Sequence, residues 1–416
     1  MSYSDAAAPR DERPGAAASD RSLAEVVREE SARITATLTA SFGSFDLAED
    51  AVAEAVVEAL REWRVQGVPP RPGAWLTQAA RHNALDRVRR ERVLRDKVAL
   101  LEAAPPRSGE SAATTDERLP VLFGCCHPAL APDAQLALTL RAVCGLTTAQ
   151  IARVTFSSES ATGQRISRAK RKIATSGIPL RVPEGPDAAA RLDLVLTVVS
   201  VMYSEAHLSA GADASADRDL ADDALWLATV IASAMPREAE ALGLLALLQL
   251  HRSREPARAV DGELVLLDDQ DRSRWDARLI AGAHRTLERA AMLRRPGRWQ
   301  LHAAIAACHT DAADAASTDW LQVLTLYDML LAYDRSPVVR LNRAVALARV
   351  EGAAVALAEV DVLEDPLARS HLWHAVRAAL LRDLGRDDEA LAADLRALEL
   401  TVNEAERRIL TARVGR

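Results

Sequence analysis

The densest chemistry in this chain lies in SESATGQRISRAKRKI, residues 158–173. Thr162, Ile166, Ala169 and Ile173 recur at spacings of 4, 3 and 4, which predicts the buried stripe of an amphipathic helix. The remaining face carries Ser160, Gln164, Arg165, Arg168, Lys170, Arg171 and Lys172. Hydroxyl, amide and guanidinium groups near the start of such a helix can read base edges, and the later cations can meet phosphates. A solvated basic face has the same look in isolation, so the context decides. LTTAQIARVT precedes the helix, Thr147 and Gln150 have capping-box spacing, and only a short turn intervenes. Residues 118–181 hold nine Arg or Lys against two acids, a net of +7. Together these predict a helix-turn-helix. Gly163 is the awkward member, at about 1 kcal/mol of helix propensity relative to Ala.

A second constellation lies upstream. Asp46, Glu49, Asp50, Glu54 and Glu58 fall along one predicted helix whose Val and Leu residues supply the core, presenting acids to a protein partner. The next helix offers Arg81, Asn83, Arg87, Arg90 and Arg92, with Trp75 near its start. Residues 71–97 hold eight basic groups against three acids, net +5. An exposed aromatic could stack on an unpaired base, for about 1–3 kcal/mol. In an aromatic-poor chain, a tryptophan near a helix start is more often core.

The elements that must position these groups are helical throughout. With 416 residues, 49% hydrophobic and only 4% aromatic, the chain has core enough for several all-α domains and little material for a β-sandwich. Residues 1–18 read as a disordered tail, 19–101 as a first helical domain and 102–117 (EAAPPRSGESAATTDE) as a linker. Residues 118–178 form the helix-turn-helix domain, with Asp133 and Gly145 bracketing one helix. From 187 onward Ala/Leu helices dominate, interrupted by inserts at 207–219 and 251–275. Residues 187–310 read as a helical extension and 311–416 as helical hairpins. This C-terminal half carries 27 basic against 36 acidic groups, net −9, so the overall charge of −7 conceals the basic patches upstream.

The upstream residues now carry a resemblance. SFGSFDLAEDAVAEAVVEALREW with PGAWLTQAARHNALDRVRRER is similar to region 2 of the sigma-70 family. DERLPVLFGCCHPALAPDAQLALTLRAVCGLTTAQIARVTFSSESATGQRISRAKRKI resembles region 4 of its extracytoplasmic-function members with a long C-terminal extension. The resemblance implies a non-enzymatic alternative sigma factor that binds core RNA polymerase and promoter DNA. It assigns Ser160, Gln164, Arg165, Arg168, Arg171 and Lys172 to the −35 element, and Trp75, Arg81, Asn83, Arg87 and Arg90 to the −10 element. Asp46, Glu49, Asp50 and Glu54 would meet polymerase, whose β′ clamp helices and β flap are the implied contacts. GRDDEALAADLRALEL is similar to the second helix of a tetratricopeptide repeat. The alternative is a one-component helix-turn-helix regulator with a ligand- or peptide-sensing domain, which leaves the first domain without a purpose.

Other chemistry is set aside. Cys125, Cys126 and His127 are adjacent, but without a second, well-spaced group they close no tetrahedral site and read as local packing. No phosphate loop, nucleophile elbow or His-Glu-x-x-His motif is present, so no catalytic residue, metal or cofactor is expected. Asp268, Asp269 and Asp271 lack EF-hand spacing and are expected to pair with Arg272 and Arg274 in a loop held across a groove. Four cysteines and no apolar leader predict a cytoplasmic protein that does not enter membranes. The acidic C-terminal lobe could contact the basic domain within the chain.

Overall fold

The computed structural model describes residues 14–98, 118–155, 157–183, 187–209, 220–260, 263–401 and 403–415. The expected linker at 102–117, most of the expected tail and most of the 207–219 insert lie outside them. The chain divides into two units, Met1–Val195 and Leu196–Arg416. Apart from one pair of two-residue strands, the described regular structure is helical, as composition predicts.

In the first unit, α1 (Pro14–Phe42), α2 (Phe45–Gln66) and α3 (Pro72–Val98) form a bundle. Helix begins at Pro14, earlier than the tail boundary expected at residue 18. Gly43, at φ +70°, ends α1, and the Ser44 hydroxyl then caps α2 by accepting from the Leu47 N–H at 3.3 Å. The α2 face that enters the core is Ala48, Ala51, Ala55 and Ala59 with Val52 and Trp63, so small residues, rather than the expected Val and Leu, set a close helix approach. Leu23, Ile34 and Leu38 of α1 and Leu76 of α3 fill the rest.

The same unit continues with α4 (Arg118–Cys125), α5 (Pro132–Ala142), α6 (Thr148–Val154) and α7 (Glu159–Thr175). Ala131 occupies the cap position of α5, and Asp133 falls within its first turn instead of starting it. The CCHP run is packing. Cys125 and Cys126 are fully buried, and burial pushes the Cys126 thiol up to about 12. His127 Nδ1 accepts from the Ala129 N–H at 3.1 Å and closes the turn before α5.

Helix α8 (Asp187–Ser209) contains the division between the units. The second unit continues through α9 (Leu220–Ala234), α10 (Ala239–Ser253) and the short α11 (Glu255–Arg258). Strands β1 (Ala259–Val260) and β2 (Glu263–Leu264) pair antiparallel, with Ala259 opposite Leu264. Then follow α12 (Ala277–Met292), α13 (Arg298–Asp311), α14 (Trp320–Leu330), α15 (Pro337–Glu351), α16 (Ala353–Asp361), α17 (Glu364–Leu367), α18 (His371–Asp383), α19 (Asp387–Leu400) and α20 (Glu404–Val414). The expected hairpins are α15 with α16 and α18 with α19, turned by Gly352 and Gly385 at positive φ. One apolar cluster runs from Leu301 and Ile305 of α13 to Ala393 of α19, so the core continues across the boundary expected at residue 310. Among the described residues no helix is long and apolar enough to cross a membrane.

Candidate nucleic-acid interface

The helix pair is built as its spacing predicts. Thr147 and Gln150 exchange bonds, the Thr147 N–H donating to Gln150 Oε1 at 2.8 Å and the Gln150 N–H to Thr147 Oγ1 at 3.2 Å. Ser158 caps α7 by accepting from the Ala161 N–H at 3.2 Å, with Glu159 in the first turn to complement the helix dipole. Thr162, Ile166, Ala169 and Ile173 are buried, and the Thr162 hydroxyl is bonded to Ser157 Oγ at 2.6 Å.

The six residues expected at the −35 element separate onto two sides of α7. Ser160, Gln164 and Arg168 share one exposed face at i, i+4 spacing, and Arg168 donates to Gln164 Oε1 at 2.8 Å. Arg165 leans toward Asp133, 4.0 Å away, and Lys172 donates to the Ala129 carbonyl at 2.5 Å. Arg171, three residues beyond Arg168, joins the exposed face of Ser160 and Gln164 and borders a cavity of about 430 Å³ that Lys170 and Gly163 also line. At Gly163 a Cβ would meet only Thr148 Cγ2, at 3.8 Å, so the glycine is not required by helix packing.

The side of α7 that carries Lys170 and Gly163 meets α2. Lys170 Nζ lies 2.7 Å from Glu49 Oε2 and 3.5 Å from Asp46 Oδ1, and Arg141 Nε lies 3.6 Å from Glu49 Oε1. The other two candidate acids are paired within the first bundle, Arg87 of α3 reaching Asp50 at 2.7 Å and Glu54 at 3.5 Å. The separate acidic and basic surfaces read from sequence therefore neutralise each other in this arrangement. Lys170 was legible as one more cation of a basic face. Its partner 121 residues away carried no local signal.

The remaining −10 candidates differ in access. Arg81 and Arg90 are exposed, Arg90 donating to the Asp86 carbonyl at 3.3 Å. Trp75 packs edge-to-face on Trp63, centroids 5.5 Å apart, and joins the bundle core rather than standing out as a stacking platform. The Asn83 Nδ2 is shielded from solvent without a hydrogen-bond partner.

Comparison with known proteins places this geometry. Residues 26–93 match the model of sigma-70 region 2, which spans α1–α3, and residues 121–173 match sigma-70 region 4, which spans α4–α7. Residues 191–291 match a family of unknown function, DUF6596. An uncharacterized protein of Rhizobium meliloti (strain 1021) is 40% identical over 374 residues, covering 88% of each chain. No solved structure matches. With region 2 and region 4 in order ahead of a long extension, the chain belongs to the sigma-70 family, as an extracytoplasmic-function-type sigma factor with a C-terminal extension.

Proposed function

We propose that this sigma factor binds core RNA polymerase and directs it to promoters by reading the −10 element with α3 and the −35 element with α7, with the C-terminal unit as its regulatory domain. The observation that carries the reading is α7: a capped helix with a buried stripe, behind a reciprocally capped α6, showing Ser160, Gln164 and Arg168 on one open face. Arg81 and Arg90 supply open cations on α3. Polymerase performs nucleotidyl transfer, and this chain positions and opens the DNA. Asp46 and Glu49 reach polymerase once Lys170 and Arg141 release them, so engagement of core and parting of the two sigma regions are one event.

Run-off transcription with purified core on a genomic promoter library tests this. The chain is expected to form a stoichiometric holoenzyme and to start transcripts at a shared upstream sequence. Gln164→Ala and Arg168→Ala are each expected to weaken −35-dependent initiation by roughly 5- to 150-fold, the range of a lost 1–3 kcal/mol base contact, with core affinity unchanged. Promoter binding without core would replace this reading with that of a one-component regulator.

A further inference from the structure

Residues 263–275 form a strap that lies along a groove of the helical repeats. Its base is fixed. The Val265 N–H donates to the Arg258 carbonyl at 2.8 Å, buried Gln270 donates to the Val265 carbonyl at 3.1 Å, and Arg272 donates to the His309 and Ala312 carbonyls at 2.5 and 2.7 Å. Arg272 also stacks over Trp275, 4.9 Å from the ring centroid. The strap's acids do not pair with Arg272 and Arg274 as the sequence suggested. Asp271 instead caps the turn at Ser273, and Asp268 reaches across to Arg349 of α15 at 2.5 Å. Arg349 is itself stacked on Trp320, 5.1 Å from its centroid.

The tip, Leu266 to Asp269, is held differently from the base. Asp268 and Arg349 are both about half exposed, and Leu266 is 41% exposed although it faces the repeats. Leu266 lines three cavities, of about 470, 550 and 700 Å³. The middle one has an apolar floor from Val376, Leu380, Ile409 and Leu410 of α18 and α20, with Leu372 half exposed at its edge. Arg413 borders the second and third cavities and Arg408 the third, and among the described residues neither arginine has an ion-pair partner. The trough is thus bordered by three arginines, one satisfied by a carboxylate and two open, while of the carboxylates on its lining Glu406 is held by His371 at 2.9 Å, Glu263 and Asp269 belong to the strap itself, and Asp383 stands at the α18 end.

From this we infer that the groove formed by α15, α18 and α20 is a docking site for a short apolar and acidic peptide segment of a partner protein. The strap segment ELVLLDDQ, residues 263–270, with its tip at Leu266 to Asp269, is the chain's own occupant of one end. The strap shows the required chemistry: leucine side chains for the floor and a carboxylate for an arginine at the rim. Arg408 and Arg413 extend the same complementarity beyond what the strap satisfies. A partner segment displaces the weakly held tip while the anchored base keeps the strap in reach, so strap and partner compete. The inference concerns the second unit alone and does not depend on the promoter reading.

The test uses a fluorescein-labelled synthetic peptide of sequence ELVLLDDQ and the full chain, followed by fluorescence anisotropy. The double variant Leu266→Ala/Asp268→Ala, which loosens the tip, is expected to bind the peptide at least tenfold more tightly than the unaltered chain. Adding Arg413→Glu, or replacing both peptide aspartates by asparagine, is expected to abolish the gain. Equal binding by both chains, no saturable binding by either, or binding that survives loss of the charges would overturn the proposal. Hydrogen exchange on the unaltered chain gives a readout independent of the variants' folding. Saturating peptide should speed exchange in residues 266–269 and slow it in α18 and α20, and unchanged exchange in all three overturns the proposal too.

Discussion

Gly145 and Gly243 mark close helix approaches in the two units, and their surroundings differ. A Cβ on Gly145, which sits at φ +73° between α5 and α6, would lie 2.6 Å from the Ala32 Cβ of α1. The seam between sigma regions 2 and 4 also packs α1 against α4 and α5; along its edge Lys170 and Arg141 meet Glu49 and Asp46, and cavities of about 430 and 320 Å³ open beside Glu49. A Cβ on Gly243, mid-helix in α10, would lie 2.6 Å from the Gln300 backbone N of α13. There the neighbouring turn of α10 supplies Glu240, which accepts from the Trp299 N–H at 2.9 Å and the Gln300 N–H at 3.3 Å, capping α13 from outside. One seam lays α1 on α4 and α5 and carries charge along an open edge. The other brings the backbones of α10 and α13 together over a glycine. On the proposed reading the first parts when polymerase engages, and the second holds the extension together.

Gly243→Ala puts that contrast to its hardest test. The substitution gains about 1 kcal/mol of helix propensity but drives a methyl into the α13 backbone, and overpacking of this kind typically costs about 1–3 kcal/mol or more. The Gln300 amide cannot swing aside, because its N–H is held by Glu240 and its side chain donates to the Arg295 carbonyl at 2.7 Å. A net loss of about 2 kcal/mol is expected in the thermal transition of the second unit, with the first unit's transition unmoved. A stabilised variant would show that the seam yields, and the contrast would fail.

What could be read in advance follows the range of the interactions. The α7 stripe, the Thr147–Gln150 box and the α18/α19 hairpin are set by spacings of a few residues, and each is found where the sequence places it. The partners of Glu49, Asp268 and Trp75 are fixed by packing across many residues, and no periodicity reports them. Trp75 shows the limit well. A tryptophan at a helix start in an aromatic-poor chain reads more often as core than as platform, and what it packs against is known only once Trp63 is seen to lie beside it.

The second unit should also respond to acid. Burial foremost, then Arg254 and Arg272, push His309 down to about 4 from 6.5. Its folded pKa lies below the unfolded one, so the unfolded chain takes up a proton first as pH falls. Stability is therefore complete above about pH 6.5 and declines toward pH 4, by about 1 kcal/mol at pH 6. His309→Phe, which can keep the edge contact on Trp320 at 5.4 Å, is expected to flatten this part of the melting profile. An unchanged slope would place the acid sensitivity elsewhere.

The smallest effect on stability is expected at the charged seam, where it carries the most functional meaning. Lys170 is 12% exposed and Glu49 27%, so the pair is less screened than a free surface bridge, yet it borders open cavities and competes with water. A double-mutant cycle with Lys170→Met and Glu49→Gln is expected to give a coupling of only about 0.5–1 kcal/mol in denaturant unfolding of the first unit. The same variants should lengthen the distance between labels on Arg61 of α2 and Glu159 of α7, as should raising salt until the Debye length falls from about 10 Å at 0.1 M to about 3 Å at 1 M. A coupling of several kcal/mol, or a distance indifferent to salt, would make this seam as permanent as the one at Gly243. Because Glu240 accepts backbone N–H groups across a glycine contact rather than facing a mobile cation, labels on α10 and α13 should keep their separation through the same salt series.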